Sequence, residues 1–351
     1  MAGLSRWCSL VSRPNLVKIA VDARPLRHPF SGIGRYTKKL VECLQEREVE
    51  ILHLHAPHSQ PVATLTSAFR FGYRARQASA ELFWSPRHHL PITIDMPGVV
   101  TIHDLVWKHV PDTMTAGRKI LDQKLMVRSV KKADRIICVS ESTRSDLLQV
   151  LPEVTSKVVV IPLAASVDQT ILPEDVDLPD RYMLFVGTNE PRKNLARVLE
   201  AFRVSANKHD LALCVVANEG WKTEDLVGYR DRIHFFSQLS DRKLAALYSQ
   251  CMFVLAPSLY EGFGLQLAEA AAFGKACITS NISSMPEVCG QAGILVDPYS
   301  VAQIAEAICE LTFDQERRVQ LETIALSNSE SRSWRQTADA TIEVFREVLG
   351  Q

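Results

Sequence analysis

Short runs of apolar residues alternate with longer segments of helical periodicity along most of this chain. Each run spans four to six residues, a length typical of strands that are buried on both faces of a parallel sheet. In the first half these runs occupy residues 16–21, 51–55, 81–84, 99–102, 135–139 and 157–161. In the second half they occupy residues 182–186, 211–216, 232–236, 252–256, 275–279 and 293–296. The alternation predicts an α/β protein with two parallel-sheet domains that face one cleft.

The segments between the apolar runs predict helices and one linker. Pro162–Asp180 contains three prolines and little periodicity, so we place the interdomain linker there. We therefore assign residues 1–170 to a first domain and residues 171–332 to a second. The last helix, within residues 333–351, carries an apolar face that must pack against another element. The other predicted helices cover residues 32–45, 113–133, 239–248 and 265–273.

The segment Ser258–Ala270 carries the candidate chemistry of the second domain. Glu261 and Glu269 stand eight residues apart, the first in a strand-to-helix loop and the second in the helix that follows. Gly262 and Gly264 let backbone N–H groups approach a ligand closely, and a helix N-terminus favours phosphate. A nucleotide diphosphate-sugar offers phosphates to these N–H groups and hydroxyls to the carboxylates.

Three further segments bear on the same cleft. Arg192 and Lys193 lie just before a predicted helix, where cations oppose the helix dipole unless an anion is near. That position favours a diphosphate ligand, and an exposed charge pair is the alternative. His103 and Asp104 follow a strand at the edge where open parallel sheets bind ligands. Gly32–Thr37 lacks the third glycine of a dinucleotide fingerprint, so it indicates a loop facing phosphate or acceptor, or an ordinary turn.

Composition narrows the function classes. The chain has 351 residues, and its 40 Lys and Arg balance 40 Asp and Glu, so no basic field for nucleic acid is expected. His53, His55, His88 and His89 have no Cys or acidic partners at metal spacing. The eight cysteines show no C-x-x-C spacing, which favours a reducing cytoplasm. No apolar run approaches the ~20 residues of a membrane span. The first residues lack the apolar core of a signal peptide, so we expect none.

The predicted helix over residues 113–133 is strongly basic. Such a face is either solvated or in contact with anionic lipid, which would place the protein at the inner face of the cytoplasmic membrane. Its cations are Arg118, Lys119, Lys124, Arg128, Lys131 and Lys132.

Seven motifs together resemble those of retaining glycosyltransferases of family 4, which have the GT-B fold. These are Gly32–Thr37, Thr101–Leu105, Val139–Arg144, Phe185–Leu195, Pro257–Glu269, Ser284–Val288 and Gly293–Pro298. The forms G-I-G-R-Y-T and G-T-x-E-P-R-K-N-L are similar to the mannosyltransferase-B-like branch, which builds O-antigen and other bacterial polysaccharides. The resemblance implies a retaining transferase that moves mannose from GDP-mannose to a growing glycan or a lipid-linked acceptor. Alternatives are transfer from UDP-glucose or GDP-rhamnose, a nucleotide-sugar epimerase, a nicotinamide dehydrogenase, and a non-catalytic glycan-binding partner of the same fold.

The resemblance also implies roles for individual residues. His103 and Glu261 would be catalytic, with Glu261 orienting the donor sugar and Glu269 holding the ribose. In the GT-B fold the last helix crosses back to the first domain. No metal or cofactor is expected, because cations and helix dipoles would stabilise the leaving diphosphate. Two departures from the family pattern are Thr188, where many members have Arg, and the absence of glycine from Pro162–Asp168. The implied donor-binding residues are Gly32, Arg192, Lys193, Phe263, Gly264, Leu265 and Glu269, and the acceptor-side candidates are Gly34, Arg35 and Asp104.

Overall fold

The described residues form two parallel sheets. The computed structural model describes residues 17–47, 49–57, 60–188, 190–217 and 230–351. Residues 1–16, where the sequence predicts no signal peptide, lie outside the described residues. Within the described part each sheet has six strands, in the orders β2-β1-β3-β4-β5-β6 and β12-β11-β10-β7-β8-β9. The predicted fold class, two parallel-sheet domains of the α/β type, is confirmed.

The strands lie close to the predicted runs. In the first sheet they are β1 (Val17–Asp22), β2 (Val49–Leu54), β3 (Leu82–Ser85), β4 (Gly98–Ile102), β5 (Arg135–Cys138) and β6 (Val158–Val160). In the second they are β7 (Tyr182–Val186), β8 (Ala212–Val216), β9 (Ile233–Phe236), β10 (Val254–Ala256), β11 (Cys277–Ser280) and β12 (Gly293–Val296). Every residue of β3 and β4 is buried, which explains why these runs show no polar alternation.

Helices cover both faces of the sheets. In the first half they are α1 (Gly32–Gln45), α2 (Gln60–Gln77), α3 (Val106–His109), α4 (Ala116–Lys132) and α5 (Glu141–Val150). In the second they are α6 (Leu195–Ser205), α7 (Asp241–Gln250), α8 (Leu265–Ala272), α9 (Met285–Cys289), α10 (Val301–Phe313), α11 (Gln315–Glu330) and α12 (Trp334–Leu349). No helix among the described residues is long and apolar enough to cross a bilayer.

Helix α2 was not predicted from the sequence. Gly72 lies inside it, and a glycine in a helix interior costs about 1 kcal/mol relative to alanine. The structure supplies the reason for this residue, because a Cβ on Gly72 would lie 2.8 Å from the carbonyl oxygen of Thr93. Close packing of the helix against a loop therefore outweighs the local propensity.

Helix α12 packs against the half of the protein that contains the first sheet. Trp334 Nε1 donates to the carbonyl of Ala165 at 2.7 Å, and Thr337 Oγ1 donates to that of Pro162 at 2.9 Å. The ring of Phe345 lies 6.0 Å from that of Trp84 on β3. The last helix thus spans the segment that joins the two sheets. The domain limits at residues 170 and 332 stay a prediction.

Candidate active site

The loop between β10 and α8 positions Glu261. Ser284 Oγ donates to the carbonyl oxygens of Glu261 and Phe263, at 2.9 and 3.0 Å. Gly264 has φ +95°, a conformation that only glycine adopts without strain, and it begins α8 at the next residue. Ser284 therefore holds this loop from within its own half. Glu261 lies at the carboxyl end of a central strand, where the open sheet faces the cleft.

Both oxygens of Glu261 are paired with cations. Arg192 NH1 lies 2.5 Å from Oε2, and Lys193 Nζ lies 2.5 Å from Oε1. Ser258 Oγ adds a hydrogen bond to Oε1 at 3.0 Å. Glu261 is only 6% exposed, and its burial alone would raise its pKa; Lys193 and Arg192 outweigh burial and lower the pKa to about 2.

The pairing with Glu261 gives Arg192 and Lys193 an anionic partner within the protein. Their position before a helix was predicted to favour a diphosphate ligand over an exposed charge pair, but the carboxylate of Glu261 is an anion within the protein. Arg192 also pairs with Glu190, with Nε 2.6 Å from Oε2. The two cations therefore do not by themselves demand phosphate, and their contact with a donor stays a prediction.

Glu269 lies in a different environment. It is 3% exposed, and its oxygens accept from Tyr248 Oη at 2.8 Å and from Ser166 Oγ. Burial raises its pKa, against the opposing effects of Arg35 and of these two hydroxyls. Ser166 belongs to the segment between the sheets, so Glu269 connects α8 with the linker. Its predicted contact with ribose stays untested.

His103 follows β4 on the opposite side of the cleft. Its Nε2 lies 2.8 Å from the carbonyl oxygen of Pro86, so this nitrogen carries the proton and Nδ1 is the acceptor. Its backbone N–H donates to His88 Nε2 at 3.1 Å, and its ring lies 4.8 Å from that of Tyr36. Burial and the neighbouring His88 lower the pKa of His103 to about 4, so the ring is neutral near pH 7. The unprotonated Nδ1 of a neutral imidazole is a hydrogen-bond acceptor, and the predicted contact of His103 with a donor sugar stays untested.

The acceptor-side candidates are not equivalent. Arg35 reaches from α1 to the second half, with NH1 2.8 Å from Asp241 Oδ1. Burial would lower the pKa of Arg192, but Glu261, Glu190 and Asp104 outweigh it and raise that pKa, so Asp104 acts electrostatically on the cation cluster. The N–H of Gly34 donates to Ser31 Oγ at 3.0 Å, and a Cβ on Gly34 would overlap the carbonyl of His28. Close packing against His28 therefore explains the glycine at position 34 without a ligand.

The remaining donor-side candidates line the junction of the two halves. A Cβ on Gly32 would lie 3.6 Å from Leu265 Cδ1, so the start of α1 faces the start of α8. Phe263 is buried, with the guanidinium carbon of Arg332 5.9 Å from its ring centre. Across the described ranges, no group of three or more His, Cys, Asp or Glu side chains is arranged to hold a metal.

Several residues at this junction were not singled out by sequence reasoning. Ser140–Thr143 lies within the Val139–Arg144 motif that carries the family resemblance, but the sequence assigned these residues no role in the site; Ser140 Oγ accepts from the N–H of Thr143 at 2.9 Å. Tyr260 lies inside the Glu261 segment, but its partner Asp146 is more than a hundred residues away. No local pattern in the sequence could have joined the two.

Two parallel-sheet halves that meet at a buried glutamate–cation cluster define a glycosyltransferase of the GT-B fold. A family model described as Glycosyl transferases group 1 matches residues 169–327, and one described as Glycosyltransferase Family 4 matches residues 77–169. The matches together span more than half of the chain, which belongs to glycosyltransferase family 4. The resemblance to this family is confirmed, and its members imply a nucleotide-sugar donor and a glycan acceptor.

Individual proteins agree with this assignment. The chain is 27% identical over 380 residues to O-antigen chain mannosyltransferase B of Escherichia coli, a match that covers 94% of this chain and 100% of the relative. Sucrose-phosphate synthase from Thermosynechococcus elongatus has a similar structure, with TM-score 0.76, 19% identity, and coverage of 95% of this chain and 99% of that one. WaaG, a glycosyltransferase involved in lipopolysaccharide biosynthesis, aligns with TM-score 0.71 and 14% identity over 93% of this chain and 99% of its own. The two structures support the fold alone.

Proposed function

We propose that this protein is a retaining mannosyltransferase that moves mannose from GDP-mannose to a growing O-antigen-like glycan. The observation that carries the proposal is the buried cluster of Glu261, Arg192 and Lys193, which lies beside the start of α8 and opposite His103. The full-length match to a mannosyltransferase of O-antigen synthesis supports the choice of sugar and product.

The cluster suits the departure of a diphosphate. Negative charge develops on the leaving group, and cations already placed in a buried site stabilise it without reorganisation. Lys193 and Arg192 would turn part of their charge from Glu261 to the phosphates, and the first N–H groups of α8 and the N–H of Gly32 would add donors. Metal is not needed in this scheme, because these groups supply the positive charge.

The other residues would hold the sugar and the ribose. Glu261, released from one of its cations, would accept hydrogen bonds from the hydroxyls of mannose, and the Nδ1 of His103 would accept another from across the cleft. Glu269 would exchange the hydroxyls of Ser166 and Tyr248 for those of ribose. The acceptor glycan would enter on the side of Asp104 and Arg35.

Release of GDP from labelled GDP-mannose tests the proposal. The purified protein is incubated with GDP-mannose, GDP-rhamnose and UDP-glucose, with and without a chelator, and slow donor hydrolysis is followed without acceptor. We expect GDP release from GDP-mannose that persists in the chelator and is lost in Lys193→Ala. Release from UDP-glucose alone would overturn the choice of donor, and no release from any nucleotide-sugar would favour the non-catalytic alternative.

We further propose that the first half of the protein contacts anionic lipid at the inner face of the cytoplasmic membrane. Phe69 and Tyr73 of α2 and Ile120 and Leu121 of α4 are 51%, 59%, 53% and 47% exposed. Thr93 Oγ1 donates to the carbonyl of Phe69 on α2 at 3.1 Å, and Arg128 of α4 donates to the carbonyl of Ile92 at 2.6 Å, so the loop that contains Ile92 and Thr93 links the two helices. Exposed apolar and aromatic residues beside lysines are typical of surfaces that lie on anionic lipid.

The basic set itself is smaller than predicted. Arg128 donates to the carbonyl of Ile92 at 2.6 Å, and Lys131 Nζ lies 3.1 Å from Glu153 Oε1. The side chain of Arg118 lies outside the described part. Lys124 and Lys132 remain as exposed candidates, together with the partly exposed Lys119. Sedimentation with anionic vesicles at low and high salt measures the contact, and we expect binding that weakens in Lys124→Ala and in salt. Indifference to anionic lipid at low salt would leave α4 as a solvated face.

A further inference from the structure

One edge of α5 is polar and fully covered. Ser140, Thr143 and Asp146 follow one another at intervals of three, so they share one side of the helix. Their exposed fractions are 0%, 0% and 9%. Buried polar side chains are costly unless they are hydrogen-bonded, and this edge therefore needs partners from another element.

Some partners belong to the same half, since His109 Nε2 lies 2.9 Å from Asp146 Oδ1 and Thr143 Oγ1 lies 3.2 Å from the carbonyl oxygen of His103. The partners from the other half come from the loop that carries Glu261. The carbonyl oxygen of Gly262 accepts from Ser140 Oγ at 2.6 Å and from Thr143 Oγ1 at 3.0 Å. Tyr260 Oη donates to Asp146 Oδ2 at 2.8 Å and accepts from the N–H of Leu105 at 3.0 Å. A helix of the first half thus contacts the two residues on either side of Glu261.

Glu261 itself faces the other way. Its carboxylate is bound by Arg192 and Lys193 of its own half, while Tyr260 and Gly262 are bound by the opposite half. Gly262 also lies directly on the backbone of His103, because a Cβ at this position would overlap the His103 carbonyl oxygen. The same contact therefore sets the distance between Glu261 and His103, the two predicted catalytic residues.

A third contact joins the start of α5 to α9. Glu287 accepts from the N–H of Glu141 at 2.9 Å and from that of Ser142 at 3.1 Å. A carboxylate at the first N–H groups of a helix is favoured by the helix dipole. These bonds form only when the two halves are docked, and each one is replaceable by water when the cleft opens.

We infer that Ser140, Thr143 and Asp146 are positioning residues for the transferase reaction. Acting through Gly262 and Tyr260, they couple docking of the two halves to the placement of Glu261 against His103. This inference rests on the proposed function for its catalytic consequence, but the docking itself does not.

Removal of one hydroxyl at the junction tests the inference. Tyr260→Phe deletes the bond to Asp146, and Thr143→Val deletes one bond to Gly262. Tyr182→Phe is the matched control, because the Oη of this buried tyrosine donates to the carbonyl of Leu247 at 2.8 Å within the second half. Turnover of GDP-mannose, affinity for GDP by calorimetry, and melting temperature are measured for each variant.

We expect Tyr260→Phe to lower kcat about ten- to hundredfold, the range that a hydrogen bond to a charged group supplies. Affinity for GDP should stay within about twofold, since all the predicted nucleotide contacts except the N–H of Gly32 belong to the second half. Asp146→Asn, which keeps an acceptor oxygen, should retain more activity than Asp146→Ala. Tyr182→Phe should keep kcat. The inference would be overturned if kcat fell only in proportion to melting temperature, with the same proportion in Tyr260→Phe and in the control Tyr182→Phe.

Hydrogen exchange gives a measurement that needs no activity. Tyr260→Phe and Thr143→Val should speed exchange in residues 258–264 and 140–146, whereas Tyr182→Phe should affect only residues near 182 and 247. Unchanged exchange across residues 258–264 in both junction variants would overturn the docking. If the parent protein releases no GDP, the proposed function fails, and the exchange pattern alone decides between docking and its absence.

Discussion

Glu261 and Glu269 are the same residue type, eight positions apart, and both are almost fully buried. Glu261 is paired with two cations that lower its pKa to about 2. Glu269 accepts from two neutral hydroxyls, and burial raises its pKa. Two glutamates in the same short segment thus differ in the free-energy cost of burying their negative charge. A buried carboxylate needs ionic or hydrogen-bonding partners, and those of Glu261 and Glu269 come from elements that are not adjacent in the sequence.

The largest expected difference between the two is in stability. Glu261→Gln leaves Arg192 and Lys193 without their buried partner, and breaking such a pair typically costs about 3–5 kcal/mol. Glu269→Gln removes a charge that has no cationic partner at bonding distance among the described residues, so we expect a loss of less than about 1 kcal/mol, or a gain. Urea unfolding at pH 7 measures both. Equal losses in the two variants would contradict the difference in environment.

Removal of one cation separates catalysis from stability. Lys193→Ala should lower turnover about 10²–10³-fold, because one donor to the developing charge is lost. Lys193→Ala should also lower the free energy of unfolding more in the parent than in the Glu261→Gln background. In that background position 261 has no carboxylate for Lys193 to neutralise. Lys243→Ala is the control, since its partner Glu174 lies 3.6 Å away in an exposed pair. Unchanged turnover in folded Lys193→Ala would refute the diphosphate role.

The predicted ribose contact of Glu269 gives a smaller effect. Glu269→Ala should weaken binding of GDP by about 1.5–3 kcal/mol, the range for hydrogen bonds to a charged group. Tyr248→Phe removes a protein partner but keeps the carboxylate, so its affinity should equal or exceed that of the parent. Calorimetry with GDP measures all three proteins. Identical affinities in Glu269→Ala and the parent would exclude Glu269 from the nucleotide site.

The pH dependence of stability gives the smallest effect and distinguishes the carboxylates by sign. The pKa of Glu261 is lowered, so its contribution is present above about pH 4.5 and is lost as pH falls towards 2. The pKa of Glu269 is raised, so its contribution is present at low pH and is lost as pH rises. His103 is neutral when folded and takes up a proton when unfolded, so its contribution is present above about pH 6.5 and is lost as pH falls towards 4.

His103→Gln should therefore flatten the pH profile. Between pH 7.5 and pH 5 the parent should lose about 2 kcal/mol more than the variant, because the unfolded histidine binds a proton in this window and the folded one does not. Urea unfolding at the two pH values measures the difference. His209, whose pKa is also lowered to about 4, stays in both proteins and cancels in the comparison. Parallel profiles would show that His103 is protonated to the same degree in both states.

The sequence predicted most of the fold because strands buried on both faces leave a local signal. β3 and β4 have no polar alternation, and the interval of α1 was read correctly from its periodicity. Helix α2 was missed because Gly72 weakens its local signal, and only packing against Thr93 explains that glycine. Bounds of helices differ by a few residues where turns precede them, as at α4, which begins after Pro111–Thr113.

The amino-acid sequence by itself determined the two-sheet fold, the family and the segment that carries both glutamates, since each depends on patterns within a few tens of residues. The tertiary structure decided the state of the side chains. It paired Glu261 with Lys193, buried Glu269 against Ser166, and joined Tyr260 to Asp146. These contacts join residues that are 68, 103 and 114 positions apart. Charge and hydrogen bonding depend on distances in space, which no local pattern of residues records.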